Sequence, residues 1–142
     1  QNDQAWIGFN NLGKILERTG RSQEAIEHFQ QAVRIKPSLA EAHSNLGAVL
    51  GKAGRSQEAI EHFQHALRIN PPYVRAYTNL PVMYLQVGRS AEAVAMGRKA
   101  LDLARAQGQT GVATKIEEWL STLPAQLSSR EDARSDAGRL SR

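Results

Sequence analysis

The sequence lacks several features that would point to particular classes of protein. Its 142 residues include no cysteine, which excludes disulfide bonds and thiolate zinc sites and leaves the redox compartment open. No apolar run approaches the roughly 20 residues that a membrane-spanning helix needs. No glycine-rich phosphate loop, paired-carboxylate cleft or Ser/His/Asp set is recognisable. We therefore expect a chain with no catalytic activity of its own, no cofactor and no contact with a membrane.

The charge pattern does not favour a nucleic acid partner. Eighteen Lys and Arg against fourteen Asp and Glu give a net charge of +4, but the two signs alternate along the chain and form no basic run. The length and the 41% hydrophobic content suit one domain with a core of its own. The chain begins QNDQAW, without a methionine or a leader, so we interpret it as a processed chain or as part of a longer protein.

What the sequence does contain is an internal repeat. GRSQEAIEHFQQAVRIKP at 20–37 returns as GRSQEAIEHFQHALRINP at 54–71, with 15 of 18 residues identical and a period of 34 residues. A shorter copy, GRSAEAV, follows at 88–94. The upstream motif NNLG returns at the same period as SNLG and TNLP. The period predicts three units at about 6–39, 40–73 and 74–107.

Each unit is predicted to form two helices, because its apolar residues recur at helical spacing in two blocks. Helix A carries the first block, which in the first unit is Phe9, Leu12, Gly13 and Leu16. Helix B carries the second block, which in the first unit is Ala25, Ile26, Phe29, Ala32 and Val33. Gly20 suits the left-handed residue that ends helix A, Ser22 suits an N-cap for helix B, and Pro37 suits the stop after it.

These blocks resemble the tetratricopeptide repeat (TPR) family, whose pattern is a large residue, Leu-Gly, an aromatic, then Ala, an aromatic, Ala and Pro. The second unit matches at His43, Leu46, Gly47, Leu50, Ala59, Phe63, Ala66 and Pro71. The resemblance implies an all-α fold, a right-handed α-solenoid of three helical hairpins that bury their faces by stacking. It also implies a curved array with the A helices on the concave side, acting as a protein-interaction scaffold.

The third unit departs from this pattern. Pro81 stands in the middle of its helix A, where we expect a kink. Gly97 replaces the phenylalanine that the other two units bury. The stretch VATKIEEWLSTLP that follows predicts an amphipathic capping helix, which solenoids need to cover their last face. We expect Trp119 of that helix to pack over the last hairpin, toward the space left by Gly97.

The domain boundaries follow from this reading. Pro124 is expected to end the capping helix, which would span about 110–123. Residues 1–123 would then form the TPR domain. The remaining residues are polar and of mixed charge, so 124–142 is predicted to be a flexible, disordered tail.

The stripe of helix A next to the core stripe carries an asparagine at the same place in every unit: Asn11, Asn45 and Asn79. Asparagine is a mediocre helix former, so helix propensity does not favour it there, whereas its carboxamide can donate to and accept from a peptide group. The stripe resembles the asparagine ladder in the TPR superhelix of O-GlcNAc transferases, which implies that these side chains hold the backbone of an extended peptide. The alternative is that each asparagine binds neighbouring backbone or water.

Basic residues lie on the same stripe, and with Glu41 as the main opposing charge they favour a mildly acidic peptide. Some chaperone-binding TPR domains clamp a C-terminal carboxylate, and Asn45 and Arg75 suit such a clamp. Asn10 and Lys14, however, stand in the reverse of the usual order. The predicted peptide-binding residues are Asn10, Asn11, Lys14, Arg18, Asn45, Lys52, Arg75 and Asn79.

The histidines do not predict a metal site. His62 and His65 are three residues apart on helix B, but they have no carboxylate or thiolate companions to complete a ligand set. His43 occupies the place of a large core residue and is interpreted as packed. We therefore expect no metal.

Two other functions are compatible with the repeats. The chain could be the substrate-recognition part of a larger enzyme such as a glycosyltransferase, although a capping helix closes the array at that end. It could also form a homo-oligomer through an N-terminal face bearing Trp6, Ile7 and Phe9, or by inserting its tail into the groove of a neighbour.

Overall fold

The computed structural model describes residues 3–140, with side chains described over 3–123 and at 138 and 139. Within that part of the chain the regular structure is entirely helical. Its helices are α1 (Ala5–Arg18), α2 (Ser22–Ile35), α3 (Ala40–Lys52), α4 (Ser56–Ile69), α5 (Val74–Gln86), α6 (Ser90–Ala106) and α7 (Thr110–Leu140).

Consecutive helices pack as three hairpins, α1 on α2, α3 on α4 and α5 on α6. The hairpins stack on each other through α2 on α3 and α4 on α5, and α7 packs on α6. The predicted all-α solenoid of three hairpins and a C-terminal helix is therefore confirmed. Over the described residues, none of these helices is both long and apolar enough to span a membrane.

Glycine ends each helix A, as predicted. Gly20 has a φ of 79° and lies in a Schellman motif, in which the Arg21 amide donates to the Leu16 carbonyl at 2.8 Å and the Gly20 amide to the Glu17 carbonyl at 3.1 Å. Gly54 and Gly88 repeat this φ, at 80° each, and Gly108 ends α6 at 69°. Only glycine adopts this backbone without strain, so the period of the turns follows the period of the glycines.

The predicted serine N-caps are wrong. Helices α2, α4 and α6 each begin at the serine, but none of the three makes a side-chain capping hydrogen bond. The preceding arginine instead binds the glutamate in the first turn: the Arg21 guanidinium donates through Nε to Glu24 Oε1 at 2.8 Å. A carboxylate at this position also interacts favourably with the positive end of the helix.

Close contact between a glycine of helix A and a phenyl ring of helix B holds each of the first two hairpins together. Phe29 and Phe63 are fully buried. A Cβ built on Gly13 would lie 2.6 Å from the Phe29 ring, and one built on Gly47 would lie 3.1 Å from the Phe63 ring. A Cβ at Gly13 would overlap the Phe29 ring, and one at Gly47 would require the Phe63 ring to move by a few tenths of an ångström.

In the third hairpin the ring comes from elsewhere in the chain. Gly97 holds the phenylalanine position, and a Cβ there would lie 2.8 Å from the Trp119 ring and 3.1 Å from Leu120. Trp119 also packs on the central hydrophobic cluster. The prediction that Trp119 fills the space left by Gly97 is confirmed.

Two prolines do not end their helices. Pro81 lies inside α5, which continues to Gln86, and α7 continues past Pro124 to Leu140, so the predicted helix end at Pro124 is wrong. One proline removes one backbone hydrogen bond, whereas the residues after 124 include many good helix formers, Ala, Gln, Leu, Arg and Glu. The predicted tail is thus helical as far as Leu140, while residues 141–142 lie outside the described residues and the flexibility of the tail stays a prediction.

Three histidines pack against one another where α3 meets α4. The ring of His43, which is buried, stacks on the ring of His65 with centroids 4.9 Å apart and on that of His62 at 5.5 Å. His43 Nε2 lies 2.9 Å from the Pro37 carbonyl oxygen, and His43 Nδ1 lies 3.3 Å from His62 Nδ1. A neutral His43 that donates through Nε2 accepts from His62 through Nδ1, and protonating His43 would place a second N–H donor against that of His62.

We predict that this cluster makes the free energy of unfolding decrease as the pH is lowered. Burial lowers the pKa of His62 from 6.5 to about 4, and burial also lowers the pKa of His43. The folded chain therefore favours the neutral rings, so the stabilisation is complete above pH ~6.5 and is lost as pH falls toward ~4. Since His62 is only partly buried, we expect a loss of about 2 kcal/mol in the free energy of unfolding. Urea unfolding at a series of pH values measures it.

The variant His62→Gln should flatten the pH dependence between pH ~6.5 and ~5. His28 holds the same register in the first unit, where its Nδ1 contacts the Glu24 carbonyl, so His28→Gln is the matched control and should keep the wild-type slope. An equal slope in His62→Gln and the wild type would contradict the assignment.

A second prediction concerns the seat of Trp119. Gly97→Ala should lower the free energy of unfolding by about 1–3 kcal/mol, because its Cβ overlaps the indole ring. Gly111→Ala is the control: nothing lies within 4 Å of its Cβ, so it should be neutral or slightly stabilising. Chemical unfolding of both variants tests this, and equal stability would show that the Trp119 contact is loose.

Candidate functional site

Five of the eight predicted site residues line one hollow on the side of the A helices. The hollow has a volume of about 510 Å³ and is bounded by Asn11, Lys14, Ile15, Glu17, Arg18, Asn45 and Arg75. These residues come from α1, α3 and α5, which belong to three different hairpins. Stacking thus brings together side chains from three units, of which Asn11 and Asn45 are one 34-residue period apart.

Asn45 is the centre of a chain of hydrogen bonds across these helices. Its Nδ2 donates to Asn10 Oδ1 at 3.1 Å, and its Oδ1 accepts from Arg75 Nη1 at 2.8 Å. Asn45 is 1% exposed and Asn10 is 3% exposed. Both carboxamides are therefore used to fix α1 against α3, and α3 against α5, and neither is presented to a ligand.

The chain of hydrogen bonds continues to a charged pair at the start of α3. Asn10 Nδ2 donates to Glu41 Oε1 at 3.5 Å, and the Lys14 ammonium forms an ion pair with the same oxygen. The hydrogen bond from Lys14, with further ones from Asn10 and Asn45, holds the pKa of Glu41 below its usual range. Glu41 is therefore ionised near neutral pH and offsets the charge of Lys14.

Two of the four predicted basic residues are paired with carboxylates and two are not. Lys52 Nζ lies 2.7 Å from Glu17 Oε1, a pair that again joins α3 to α1. Arg75 donates to the neutral carboxamide of Asn45, and Arg18 contacts no acidic group among the described residues. The hollow thus has an excess positive charge, which Arg18 and Arg75 supply.

The three asparagines of the predicted ladder have different surroundings. Asn11 is exposed and lines the hollow, whereas Asn45 is buried. Asn79 is partly buried and donates through Nδ2 to the Arg75 carbonyl oxygen on its own helix at 2.7 Å. They are therefore not equivalent rungs in this structure. The reason is that only Asn45 has an asparagine, Asn10, facing it from the preceding hairpin.

An apolar hollow adjoins this region and was not predicted from the sequence. Its volume is about 350 Å³, and it lies between α5, α6 and α7, where Pro81, Val82, Gly97, Ile116 and Trp119 line it with Lys115 at the same opening. It forms where the third unit departs from the repeat. The sequence shows that the third unit departs from the repeat at Pro81 and Gly97, but these substitutions alone do not predict a cavity.

A third hollow connects the first two. It shares Arg75 with the first hollow, which we call the cationic hollow because of its excess positive charge. It shares Thr78 and Val112 with the apolar hollow. We call the three together the groove. It runs from α1 to α7 and changes from cationic to apolar along its length. Over the described residues, no group of three or more His, Cys, Asp or Glu side chains is placed to hold a metal ion.

Several solved structures share this arrangement of helices. The TPR2B domain of yeast Sti1, in its complex with pHsp70, is similar with a TM-score of 0.81 and 21% identity, covering 85% of this chain and 97% of that one. PcrH in complex with the chaperone binding region of PopD has a TM-score of 0.82 and 20% identity, covering 89% and 96%. The chaperone SycD of Yersinia enterocolitica has a TM-score of 0.83 and 17% identity, covering 90% and 89%.

Family models match the sequence itself, although no curated protein does. A model described as "Tetratricopeptide repeat" matches residues 38–106, and one described as "TPR repeat" matches residues 13–54. Together they cover residues 13–106, well over half of the chain. The chain therefore belongs to the tetratricopeptide repeat family.

Proposed function

We propose that the chain is a non-catalytic interaction module that binds an extended, acidic segment of another protein in the groove. The observation that carries the proposal is the pair Arg18 and Arg75, two guanidinium groups without a carboxylate partner among the described residues. They line a hollow that is linked to the apolar one through the third hollow. Two similar structures are complexes, that of Sti1 with pHsp70 and that of PcrH with the chaperone binding region of PopD.

Arg75 is the residue best placed to bind a carboxylate. The hydrogen bond from Nη1 to Asn45 holds its guanidinium in position, and the buried contact of Asn45 with Asn10 holds Asn45 in turn. Arginine binds carboxylates through two parallel hydrogen bonds, and a side chain already in position loses less entropy on binding. Arg18 adds a second positive charge from α1, while Lys14 and Lys52 offset the charges of their own carboxylate partners.

The apolar hollow suits one large apolar side chain of the bound segment. Arg75 and Val82 are seven residues apart on α5, so they are separated by about 10 Å along the helix axis. An extended peptide covers that distance in about three residues. The proposed ligand therefore carries an acidic residue and a large apolar residue about three positions apart.

Asn11 and Asn79 are proposed to hold the backbone of this segment, as in the asparagine ladder of O-GlcNAc transferases. Asn11 is exposed in the groove, and Asn79 can exchange its bond to the Arg75 carbonyl for one to a peptide group. Asn45 has a different role, since it supports Arg75. In a larger enzyme such as a glycosyltransferase the same groove would select substrates, and the sequence of the full-length gene distinguishes that case.

Self-association through the N-terminal face is the second candidate. Trp6 and Phe9, however, are partly buried: the Lys36 ammonium lies 4.6 Å from the Trp6 ring centroid, and the Phe9 ring packs on His28. Ile7 is exposed, as are the neighbouring Leu12 and Ile15. The other proposed route, through the tail, rests on side chains outside the described residues.

The binding proposal predicts a specific peptide preference. In an array of peptides that place one glutamate and one leucine at every separation, binding should be strongest at about three residues. Replacing glutamate by glutamine should weaken binding about tenfold, because the charge-assisted hydrogen bonds to Arg75 are lost. Fluorescence anisotropy at two salt concentrations measures both effects. Equal affinity for the glutamine peptides would contradict the role of the arginines.

Variants of the protein separate the groove from the rest of the surface. Arg75→Gln should remove most of the preference for glutamate, whereas Arg68→Gln, on the exposed side of α4, should keep it. The same anisotropy titrations apply. If both arginine variants lose affinity equally, binding depends on net charge alone.

The asparagines are expected to separate binding from stability. Asn11→Ala should weaken peptide binding without lowering the free energy of unfolding, because its side chain is exposed. Asn45→Ala should lower that free energy by about 1–3 kcal/mol, because Asn10 and Arg75 lose a buried partner. Urea unfolding beside peptide titration measures both. A stable Asn45→Ala variant would contradict its supporting role.

A further inference from the structure

The two residues that break the repeat in the third hairpin line the same hollow. Pro81 stands where helix A of the other units has its glycine, and Gly97 stands where helix B has its phenylalanine. Both line the apolar hollow. In the first two hairpins this glycine meets this phenyl ring, and the rings of Phe29 and Phe63 are fully buried. The apolar hollow therefore lies where the third hairpin would hold a ring of its own.

The indole ring of Trp119 fills only part of this space. A Cβ on Gly97 would lie 2.8 Å from the indole, yet the Trp119 side chain is partly exposed. A volume of about 350 Å³ stays open beside it. An apolar cavity of roughly 150 Å³ is large enough to hold a benzene molecule. The hollow thus has room for a second aromatic ring beside Trp119.

The lining of the hollow favours an aromatic ring over an aliphatic side chain. Tyr77 and Trp119 both line it, and the other lining residues are apolar except Thr78 and Lys115. Aromatic rings attract each other in edge-to-face and offset arrangements, beyond the effect of buried area alone. A phenyl group in the hollow can make such contacts, whereas a leucine side chain cannot.

The two residues that open the hollow are unfavourable for the helices that contain them. Pro81 lies inside α5 and Gly97 lies inside α6. An interior proline removes a backbone hydrogen bond, and an interior glycine is less favourable than alanine. Residues that break such local rules are expected at functional sites. A ligand that fills the hollow would account for both residues.

The opening of the hollow carries a positive charge. Lys115 is exposed there, and no carboxylate of the described residues pairs with it. Arg75 lines the adjoining third hollow, so the path from one hollow to the next has a cation at each end. An aromatic residue that belongs to an acidic segment would meet electrostatic attraction at both places.

We propose that the apolar hollow binds an aromatic side chain of the acidic segment, whose phenyl group takes the place of the ring that the third hairpin lacks. This inference rests on the proposed function, because it specifies the apolar residue of the same ligand. The segment then carries a phenylalanine about three positions from its acidic residue.

Four peptides test the inference, combining glutamate or glutamine with phenylalanine or leucine about three positions away. Fluorescence anisotropy should show about fivefold tighter binding with phenylalanine than with leucine in both pairs. A fifth peptide carries glutamate and cyclohexylalanine, whose ring is of similar size but has no π electrons. It should bind more weakly than the phenylalanine peptide. The ratio of phenylalanine to leucine tests the hollow, and the ratio of glutamate to glutamine tests the arginines.

The emission of Trp119 shows whether the ring enters the hollow. The chain has two tryptophans, so Trp6→Phe leaves Trp119 as the only one. A peptide with p-iodophenylalanine in place of phenylalanine should quench this emission, because heavy-atom quenching requires contact. The control peptide carries the same iodinated ring next to the glutamate, and it should quench much less.

A pair of valine variants tests the wall of the hollow. Val82 lines it and is 40% exposed, so Val82→Gln should keep the fold. This variant should bind the phenylalanine peptide about fivefold more weakly, with an unchanged ratio of glutamate to glutamine. Val87→Gln is the matched control: Val87 is 36% exposed just after the same helix, lines none of the three hollows and should bind like the wild type. Circular dichroism checks both folds.

Three outcomes would overturn the inference. They are a leucine or cyclohexylalanine peptide that binds as tightly as the phenylalanine peptide, unchanged Trp119 emission with the iodinated peptide, and equal effects of the two valine variants. If the preference for glutamate persists in any of these cases, the proposed function stands and only the aromatic specificity is wrong. If no peptide binds, both are wrong.

Discussion

The approach of a helix to the phenyl ring of its partner is the contact on which the rest of this structure depends. Gly13 and Gly47 leave no side chain between helix A and the rings of Phe29 and Phe63, so both rings are buried within their own hairpins. A hairpin closed in this way still has an apolar face on each side. A hairpin cannot bury these faces by itself, so they are covered by neighbouring hairpins. Stacking therefore follows from the structure of the single hairpin.

The end of the stack is formed by exchanging one ring for another. Gly97 removes the phenylalanine from helix B of the third hairpin, and Trp119 of α7 enters the space from outside the repeat. A capping helix is thereby joined to the core by an aromatic contact. The exchange is incomplete, since an apolar hollow lined by Pro81, Val82 and Trp119 stays open. The chemistry of the groove therefore changes where the repeat ends.

The polar side of the stack shows how repeated residues acquire different roles. Asn45 joins Asn10 to Arg75 and is buried, whereas Asn11 is exposed and Asn79 bonds to its own helix. Two ion pairs between α1 and α3 use Lys14 and Lys52, so Arg18 and Arg75 carry the charge that is left for a ligand. The apolar residues also differ between copies, since Leu12 and Ile15 are exposed whereas Leu46 and Val49, one period later, are buried.

The sequence by itself determined the helices, their period and the turns, because these depend on contacts within a few residues: apolar spacing, and the left-handed glycines such as Gly20. Local rules were wrong for the serine N-caps and at Pro124, where neighbouring residues outweigh one residue type. The partners of Asn45 and the apolar hollow were decided by tertiary structure. Each depends on which helix lies beside which, and residues 30 or more apart then set the exposure and hydrogen bonds of every repeated side chain.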